Sequence, residues 1–146
     1  MPGPNVVYRG PADRTPTTVN DRKVSGALLP GTFVEDNGTN LVQLTTAVAK
    51  RPLVLGIQDY VGQHPDTAYA SGDTGVAYEP NPNEVYSCRL AAGTYAANAP
   101  LTIGALGRLT AATAGSVVVA FFDGVPGAVT AGARGDVRIA NSYTAA

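Results

Sequence analysis

Residues 66–123 consist of short runs of β-forming residues separated by turn-forming residues, and this pattern constrains the fold more than any other feature of the chain. In Glu84–Leu90, the side chains of Tyr86, Cys88 and Leu90 occupy alternate positions. Successive side chains of a β-strand point to opposite faces, so this spacing predicts a strand with one apolar face. The region as a whole predicts several short strands joined by tight turns.

Similar signals occur on both sides of this region. In Leu53–Asp59, the spacing of Leu53, Leu55 and Ile57 predicts a strand that places all three side chains on one face. Near the C-terminus, residues 136–139 alternate polar and apolar side chains and predict a further strand. Strand signals therefore extend over most of the chain.

Three other segments complete the prediction of the fold. Val117–Phe122 is apolar throughout, which is typical of a strand covered on both faces. Gly104–Gly107 separates two apolar segments and predicts a hairpin. Thr39–Arg51 is the longest window without glycine or proline, but its β-branched residues disfavour helix, so we expect at most one short helix there. We predict an all-β fold, a small barrel or sandwich of short antiparallel strands with little or no helix.

The composition argues against several classes of protein. Charged residues make up only 14% of the chain, against about 25% in typical domains. The net charge of −1 lacks the basic excess that nucleic-acid binding requires. No run of about 18 apolar residues occurs, so we expect no transmembrane helix. Cys88 is the only cysteine, which excludes an internal disulfide and is consistent with assembly in a reducing cytoplasm.

Residues 1–25 are expected to form an extended N-terminal arm, followed by a single β body at residues 26–146. Four prolines favour extended backbone in the arm, and its only apolar cluster is Val6, Val7 and Tyr8. Ordering such a segment costs about 1–1.5 kcal/mol per residue, which so few apolar groups cannot offset by packing on one another. We therefore expect the arm to lie along its own body or along a neighbouring chain.

The residues expected to bind a partner lie mainly in this arm. Residues 1–23 carry four basic and two acidic side chains, whereas the rest of the chain has an acidic excess. A mildly basic arm suits an acidic partner surface. Tyrosine suits interfaces because it buries a large area and keeps a hydroxyl group for hydrogen bonding. The predicted contact residues are Val6, Val7, Tyr8, Arg9, Arg14, Arg22, Lys23, Phe122 and Tyr143.

Groups that could carry out chemistry are scarce. His64 is the only histidine, and no serine or cysteine lies in a motif typical of a nucleophile, so we expect His64 in a loop and Cys88 in the core. One histidine and one cysteine cannot build a structural zinc site. Residues 134–136 (RGD) and 37–39 (NGT) match short recognition patterns, which we interpret as chance matches at turns. We predict no catalytic, cofactor-binding or metal-binding residues.

Four parts of the body resemble the head decoration (cement) proteins of tailed bacteriophages. They are Ser25–Glu35 (SGALLPGTFVE), Asp66–Asp73 (DTAYASGD), Asn83–Gly93 (NEVYSCRLAAG) and the alanine-containing strand before Asp123. Their order and spacing are similar to those of that family. The resemblance spans about residues 25–123, which is most of the body.

The resemblance implies a β-barrel-like body on the outer surface of the virion capsid, made in the cytoplasm of the host bacterium. The implied partner is the major capsid protein. The implied assembly is a homo-oligomer, a trimer or less often a dimer, placed where capsid subunits meet. Such a protein would stabilise the head against internal DNA pressure by bridging shell subunits, without catalysis and without binding nucleic acid or membrane.

Two other classes of function stay open at this stage. The first is another virion β-module, such as part of a tail tube, a fibre or a receptor-binding protein. A sugar-binding protein of this kind would cluster exposed aromatic residues, whereas the tyrosines here are spread along the chain. The second is an enzyme or small-ligand barrel, which would require a deep pocket with polar groups around His64.

Overall fold

The computed structural model describes residues 6–58 and 61–145, with the side chain of Ser142 excepted. In this part of the chain the fold is all-β without an α-helix, which confirms the predicted fold class. Two six-stranded sheets pack as a sandwich, accompanied by a two-stranded ribbon. The edge strands of the two sheets do not pair with one another within the described residues, so the sandwich is open and the barrel alternative is wrong.

The first sheet is antiparallel throughout. With strands numbered along the chain, its order is β1 (Tyr8–Gly10), β8 (Val85–Arg89), β14 (Arg134–Thr144), β12 (Val117–Phe122), β10 (Pro100–Ile103) and β11 (Leu109–Ala111). The long strand β14 lies between β8 and β12, and it therefore holds the centre of the sheet together.

The second sheet is mixed. Its order is β2 (Thr17–Val19), β7 (Ala77–Glu79), β6 (Leu53–Leu55), β4 (Phe33–Asp36), β5 (Asn40–Gln43) and β3 (Lys23–Val24). Strand β3 runs parallel to β5, and the other pairs are antiparallel. The ribbon consists of the antiparallel strands β9 (Gly93–Tyr95) and β13 (Gly127–Val129).

The main hydrophobic core lies between the two sheets. It combines buried side chains of the second sheet, such as Phe33 and Val54, with side chains of the first sheet, such as Tyr86, Leu101 and Val137. Full burial of an apolar side chain of this size contributes about 1.5–3 kcal/mol of transfer free energy. Strand β8, predicted from the alternation around Tyr86, is confirmed and supplies the centre of this core.

A second hydrophobic cluster covers the opposite face of the second sheet. Leu53 and Leu55 of β6 point into it, and Leu28 and Tyr69 cover it from segments outside the strands. The prediction that Ile57 shares a face with Leu53 and Leu55 is wrong. Strand β6 ends at Leu55, and the chain then turns so that Ile57 joins the main core.

Residues 6–24 lie along the body of the same chain, which is one of the two positions that the sequence left open. They contribute β1, β2 and β3, which pair with β8, β7 and β5. Val7 is only 1% exposed and belongs to the main core. The N-terminal segment and the rest of the described chain therefore share both sheets and one core.

The remaining predictions concern single segments. Strand β12 is covered on both faces, as predicted, because the successive residues Val118 and Val119 are both buried. Strands β10 and β11 form the predicted hairpin around a 3-10 turn at Ala105–Gly107. The window Thr39–Arg51 contains β5 and no helix. No helix within residues 6–58 and 61–145 is long and apolar enough to span a membrane.

Candidate functional site

The apolar part of the N-terminal segment is anchored on the first sheet. Val7 is buried, and the ring of Tyr8 is half-buried with its centroid 5.3 Å from that of Tyr86. Partial desolvation and the nearby carboxylate of Glu84 raise the pKa of Tyr8. Val6 is exposed. A partner that docks on this conformation would therefore reach Val6 and the outer side of Tyr8, but not Val7.

Two arginines fasten this segment to the body. Nε and Nη2 of Arg9 donate hydrogen bonds to the two carboxylate oxygens of Asp136, at 3.2 and 3.3 Å. Nη1 of Arg14 lies 3.6 Å from Oε2 of Glu84, whose side chain is fully buried. The other oxygen of Glu84 accepts a hydrogen bond of 2.8 Å from the hydroxyl group of Tyr86. The N-terminal segment is therefore held by charge as well as by apolar packing.

The other basic residues of the segment lie at a different sheet edge. Nε of Arg22 is 3.1 Å from both carboxylate oxygens of Asp36. Hydrogen bonds from the Gly38 amide and from Arg22 hold the pKa of Asp36 below its ordinary value. Lys23 is exposed on β3, an edge strand of the second sheet. The predicted contact residues of the N-terminal segment therefore lie in or near edge strands of both sheets rather than of one.

The two predicted contact residues outside the arm differ in exposure. Phe122 is 2% exposed and stacks on Tyr95 in the main core, with ring centroids 5.4 Å apart. Tyr143 is 45% exposed, and its ring lies 6.3 Å from that of Phe121. Phe122 therefore packs inside the chain, whereas Tyr143 presents an aromatic surface to solvent.

The predicted positions of two residues, Cys88 in the core and His64 in a loop, are confirmed. Cys88 is fully buried, and burial raises the pKa of its thiol well above the ordinary value. His64 is exposed in a loop. A buried, protonated thiol is a poor nucleophile, so the geometry of Cys88 is that of a core residue.

The two short recognition patterns, RGD at residues 134–136 and NGT at residues 37–39, form contacts within the fold. The side chain of Arg134 is almost entirely buried at the start of β14, and Asp136 is held by Arg9. Residues 37–39 form a tight turn in which Oδ1 of Asn37 accepts a hydrogen bond of 3.0 Å from the Thr39 amide. Neither pattern is displayed as a free recognition loop.

Sequence reasoning missed a buried polar side chain with four hydrogen-bond partners, that of Arg89 in β8. Arg89 is 5% exposed, and it donates hydrogen bonds to the carbonyl oxygens of Pro30 (2.8 Å) and Gly132 (3.0 Å). Its Nη2 also donates to the carbonyl oxygen of Pro65 and to Oδ1 of Asp66, the latter at 3.1 Å. One side chain thus joins three loops that are distant in sequence.

The charges around Arg89 stabilise one another. Nε of Arg134 lies 3.5 Å from Oδ1 of Asp66, so this carboxylate forms ion pairs with two guanidinium groups. Partial burial opposes the ionisation of Asp66, but the hydrogen bond from Arg89 and the charge of Arg134 outweigh it and lower the pKa of Asp66. Burial in turn lowers the pKa of Arg89. The arrangement fixes loops in place and offers no pair of nucleophile and base.

The sequence contains little that would have revealed this site. Alternation placed Ser87 and Arg89 on the polar face of β8, yet both are buried because the loops at Pro30, Pro65 and Gly132 cover that face. The only local signal is that Arg89 lies between two apolar residues in the middle of a strong strand signal.

The comparisons with known proteins give no family. A scan against protein-family models finds no match to the chain, and a search of curated proteins finds none either. Within the part of the chain that the structure describes, no group of three or more His, Cys, Asp or Glu residues could hold a metal ion. The geometry around Arg89 and the exposed contact residues are therefore the features from which we infer a function.

Proposed function

We propose that this chain is a non-enzymatic decoration protein that binds the outer surface of a tailed-bacteriophage capsid and bridges major capsid protein subunits. One observation supports this most. Three of the segments that resemble that family meet at a single side chain: Arg89, in the third segment, hydrogen-bonds Pro30 of the first and Asp66 of the second. The parts of the sequence that resemble one family thus form one structural unit.

Such a protein acts by contact alone. Packed DNA pushes shell subunits apart, and a protein bound across a junction adds binding free energy that separation must overcome. A rigid body suits this role because less conformational entropy is lost when it binds. The loops tied by Arg89 and the core shared with the N-terminal segment supply that rigidity.

We assign the contact surface to the exposed and half-exposed members of the predicted set. These are Val6, Tyr8, Arg9, Arg14, Arg22, Lys23 and Tyr143. The basic members suit an acidic surface on the shell, and the aromatic members supply buried area with a polar tip. On the capsid the chain forms a homo-oligomer, a trimer in our proposal, with a dimer as the alternative.

The proposal is tested with particles of the bacteriophage that encodes the chain, grown in cells that also express an epitope-tagged copy. Antibody label over the head surface in electron micrographs is the expected result. Label confined to the tail would favour a tail or receptor-binding module instead. Unlabelled particles would contradict both, and a tagged unrelated protein of similar size controls for trapping.

A further inference from the structure

Arg108 differs from most cations of the chain in lacking an acidic partner. Eight of the ten lysines and arginines form ion pairs with carboxylates. Within residues 6–58 and 61–145, only Lys23 and Arg108 have no carboxylate in ion-pair range. Lys23 lies open to solvent, whereas Arg108 is half-buried.

Arg108 also stands close to other positive charges. A Cβ atom built on Gly132 would lie 3.1 Å from Nη2 of Arg108, and the carbonyl oxygen of Gly132 accepts the hydrogen bond from Arg89. Arg108 and Arg134 both act on Arg89 as like charges. Arg89 and Arg134 share the single carboxylate of Asp66. Arg108 adds a third guanidinium group to this region without adding a carboxylate, which leaves a local excess of positive charge.

A cavity of about 170 Å³ opens beside these arginines. Arg89 and Arg108 line it together with the polar side chains of Thr32 and Gln43. Hydroxyl and amide groups can donate hydrogen bonds to an anion, and a guanidinium group can bind a carboxylate through two parallel hydrogen bonds (bidentate binding). Apolar residues, Leu106 among them, complete the lining. The cavity therefore suits a ligand whose anionic group lies next to apolar atoms.

The turn that carries Arg108 adds a second, independent observation. Leu106 has a left-handed backbone (φ 60°) and is 52% exposed. This conformation costs a residue with a side chain about 1–2 kcal/mol, and such strain is concentrated at functional positions. The turn packs closely on β4 at Gly107, where even a methyl group would lie 2.5 Å from Cγ2 of Thr32. A strained, exposed leucine thus stands two residues from an unpaired arginine.

We propose that Leu106 and Arg108 form a docking site for an acidic side chain of the capsid partner, with Leu106 packing on the apolar surface beside it. This inference rests on the proposed function and names the chemistry of one contact. We assign the partner to proteins rather than to nucleic acids, because apart from its two arginines the cavity is lined mainly by apolar residues and the chain as a whole carries a net charge of −1.

The test uses the full-length protein and phage heads stripped of their own decoration protein. Leu106→Gly and Arg108→Gln are compared with the wild type in cosedimentation, and urea unfolding is measured in parallel. We expect each variant to bind about tenfold more weakly, as central interface residues do. Leu106→Gly should unfold at an unchanged or higher urea concentration because glycine tolerates the left-handed backbone. Arg108→Gln should also weaken the dependence of binding on salt.

The matched control is Arg138→Gln, which removes an exposed arginine paired with Asp123 on another part of the surface. If both test variants bind like the wild type, or if Arg138→Gln weakens binding as much as Arg108→Gln, the docking site is wrong while the proposed function stands. If the wild type does not bind heads at all, the proposed function fails and this inference falls with it. Should Leu106→Gly not fold, Leu106→Asn takes its place, since asparagine also tolerates left-handed backbone.

Discussion

The guanidinium group of Arg89 and the carboxylate of Asp66 are joined by a hydrogen bond of 3.1 Å, yet the two residues differ strongly in exposure. Arg89 is buried among backbone carbonyl groups, whereas the side chain of Asp66 is about half-exposed. Water can replace Arg89 as a partner of Asp66, but it cannot enter to replace Arg89 as a partner of the carbonyl groups. The two residues therefore contribute unequally to stability.

Replacing Arg89 should destabilise the fold far more than replacing Asp66. Arg89→Met leaves the carbonyl oxygens of Pro30, Pro65 and Gly132 without their donor, and we expect a loss of about 2–4 kcal/mol in the free energy of unfolding. For Asp66→Asn we expect about 1 kcal/mol, because the amide oxygen of asparagine still accepts a hydrogen bond from Arg89 and the side chain at position 66 is half-exposed. Urea unfolding followed by circular dichroism measures both. Equal losses for the two variants would show that the hydrogen bonds from Arg89 to the backbone contribute little to the free energy of unfolding.

The ionisation of Asp66 should make stability depend on pH in acid. Its pKa is lower in the folded protein than in the unfolded chain, so its contribution is fully present above the unfolded value of about 3.9 and disappears as the pH falls through the folded value. We expect the stability advantage of the wild type over Asp66→Asn to shrink between about pH 5 and pH 2. An advantage that stays constant over this range would contradict the ion pair. Unfolding curves at several pH values provide the measurement.

Local patterns were sufficient to predict the fold class and many of the turns. Alternation at Tyr86 and Cys88 requires only the geometry of a single strand, and residues 104–107 form a turn between neighbours in sequence. The pairing of β1 with β8 joins Tyr8 to Tyr86, and no local pattern encodes so distant a contact. The sequence could therefore place residues 6–24 on some surface without identifying which one.

The site was harder to predict than the strands. Ser87 and Arg89 occupy the positions that alternation assigns to solvent, and they are buried only because three loops fold over them. The apolar character of Phe122 was detected, but its side chain turns to the core of its own chain. Tertiary packing decides which face of a strand a loop or a second sheet covers. Residue type and spacing within the strand do not determine this.

The ion pair between Arg14 and Glu84 should show strong coupling in a double-mutant cycle. Glu84 is fully buried with one oxygen facing Arg14, so Arg14→Gln leaves a buried charge without its cation. We expect Arg14→Gln to cost about 1–2 kcal/mol, since Arg14 itself is half-exposed. Adding Glu84→Gln to that variant should cost less than Glu84→Gln costs in the wild type. Strict additivity of the two losses in urea unfolding would contradict the interaction.

Cys88 should be unreactive in the folded protein. Its side chain is fully buried, so a reagent cannot reach it. Burial also raises the pKa of its thiol, so the reactive thiolate is scarce at neutral pH. We expect a thiol reagent to label native protein only as fast as the protein unfolds. Labelling in increasing urea should therefore follow the unfolding transition. Rapid labelling without denaturant would mean that the main core opens locally around β8.

Two glycines with similar backbone angles should differ in how well they tolerate alanine. Gly38 (φ 94°) and Gly107 (φ 66°) both adopt left-handed backbone, which costs alanine about 1 kcal/mol at either position. A Cβ atom at Gly38 would meet open space, whereas at Gly107 it would lie 2.7 Å from the carbonyl oxygen of Phe33, which cannot move without disturbing β4. Overpacking adds about 1–3 kcal/mol, so Gly107→Ala should destabilise by about 2–4 kcal/mol and Gly38→Ala by about 1 kcal/mol. Equal midpoints in thermal unfolding would mean that the turn at residues 104–108 is free to move away from β4.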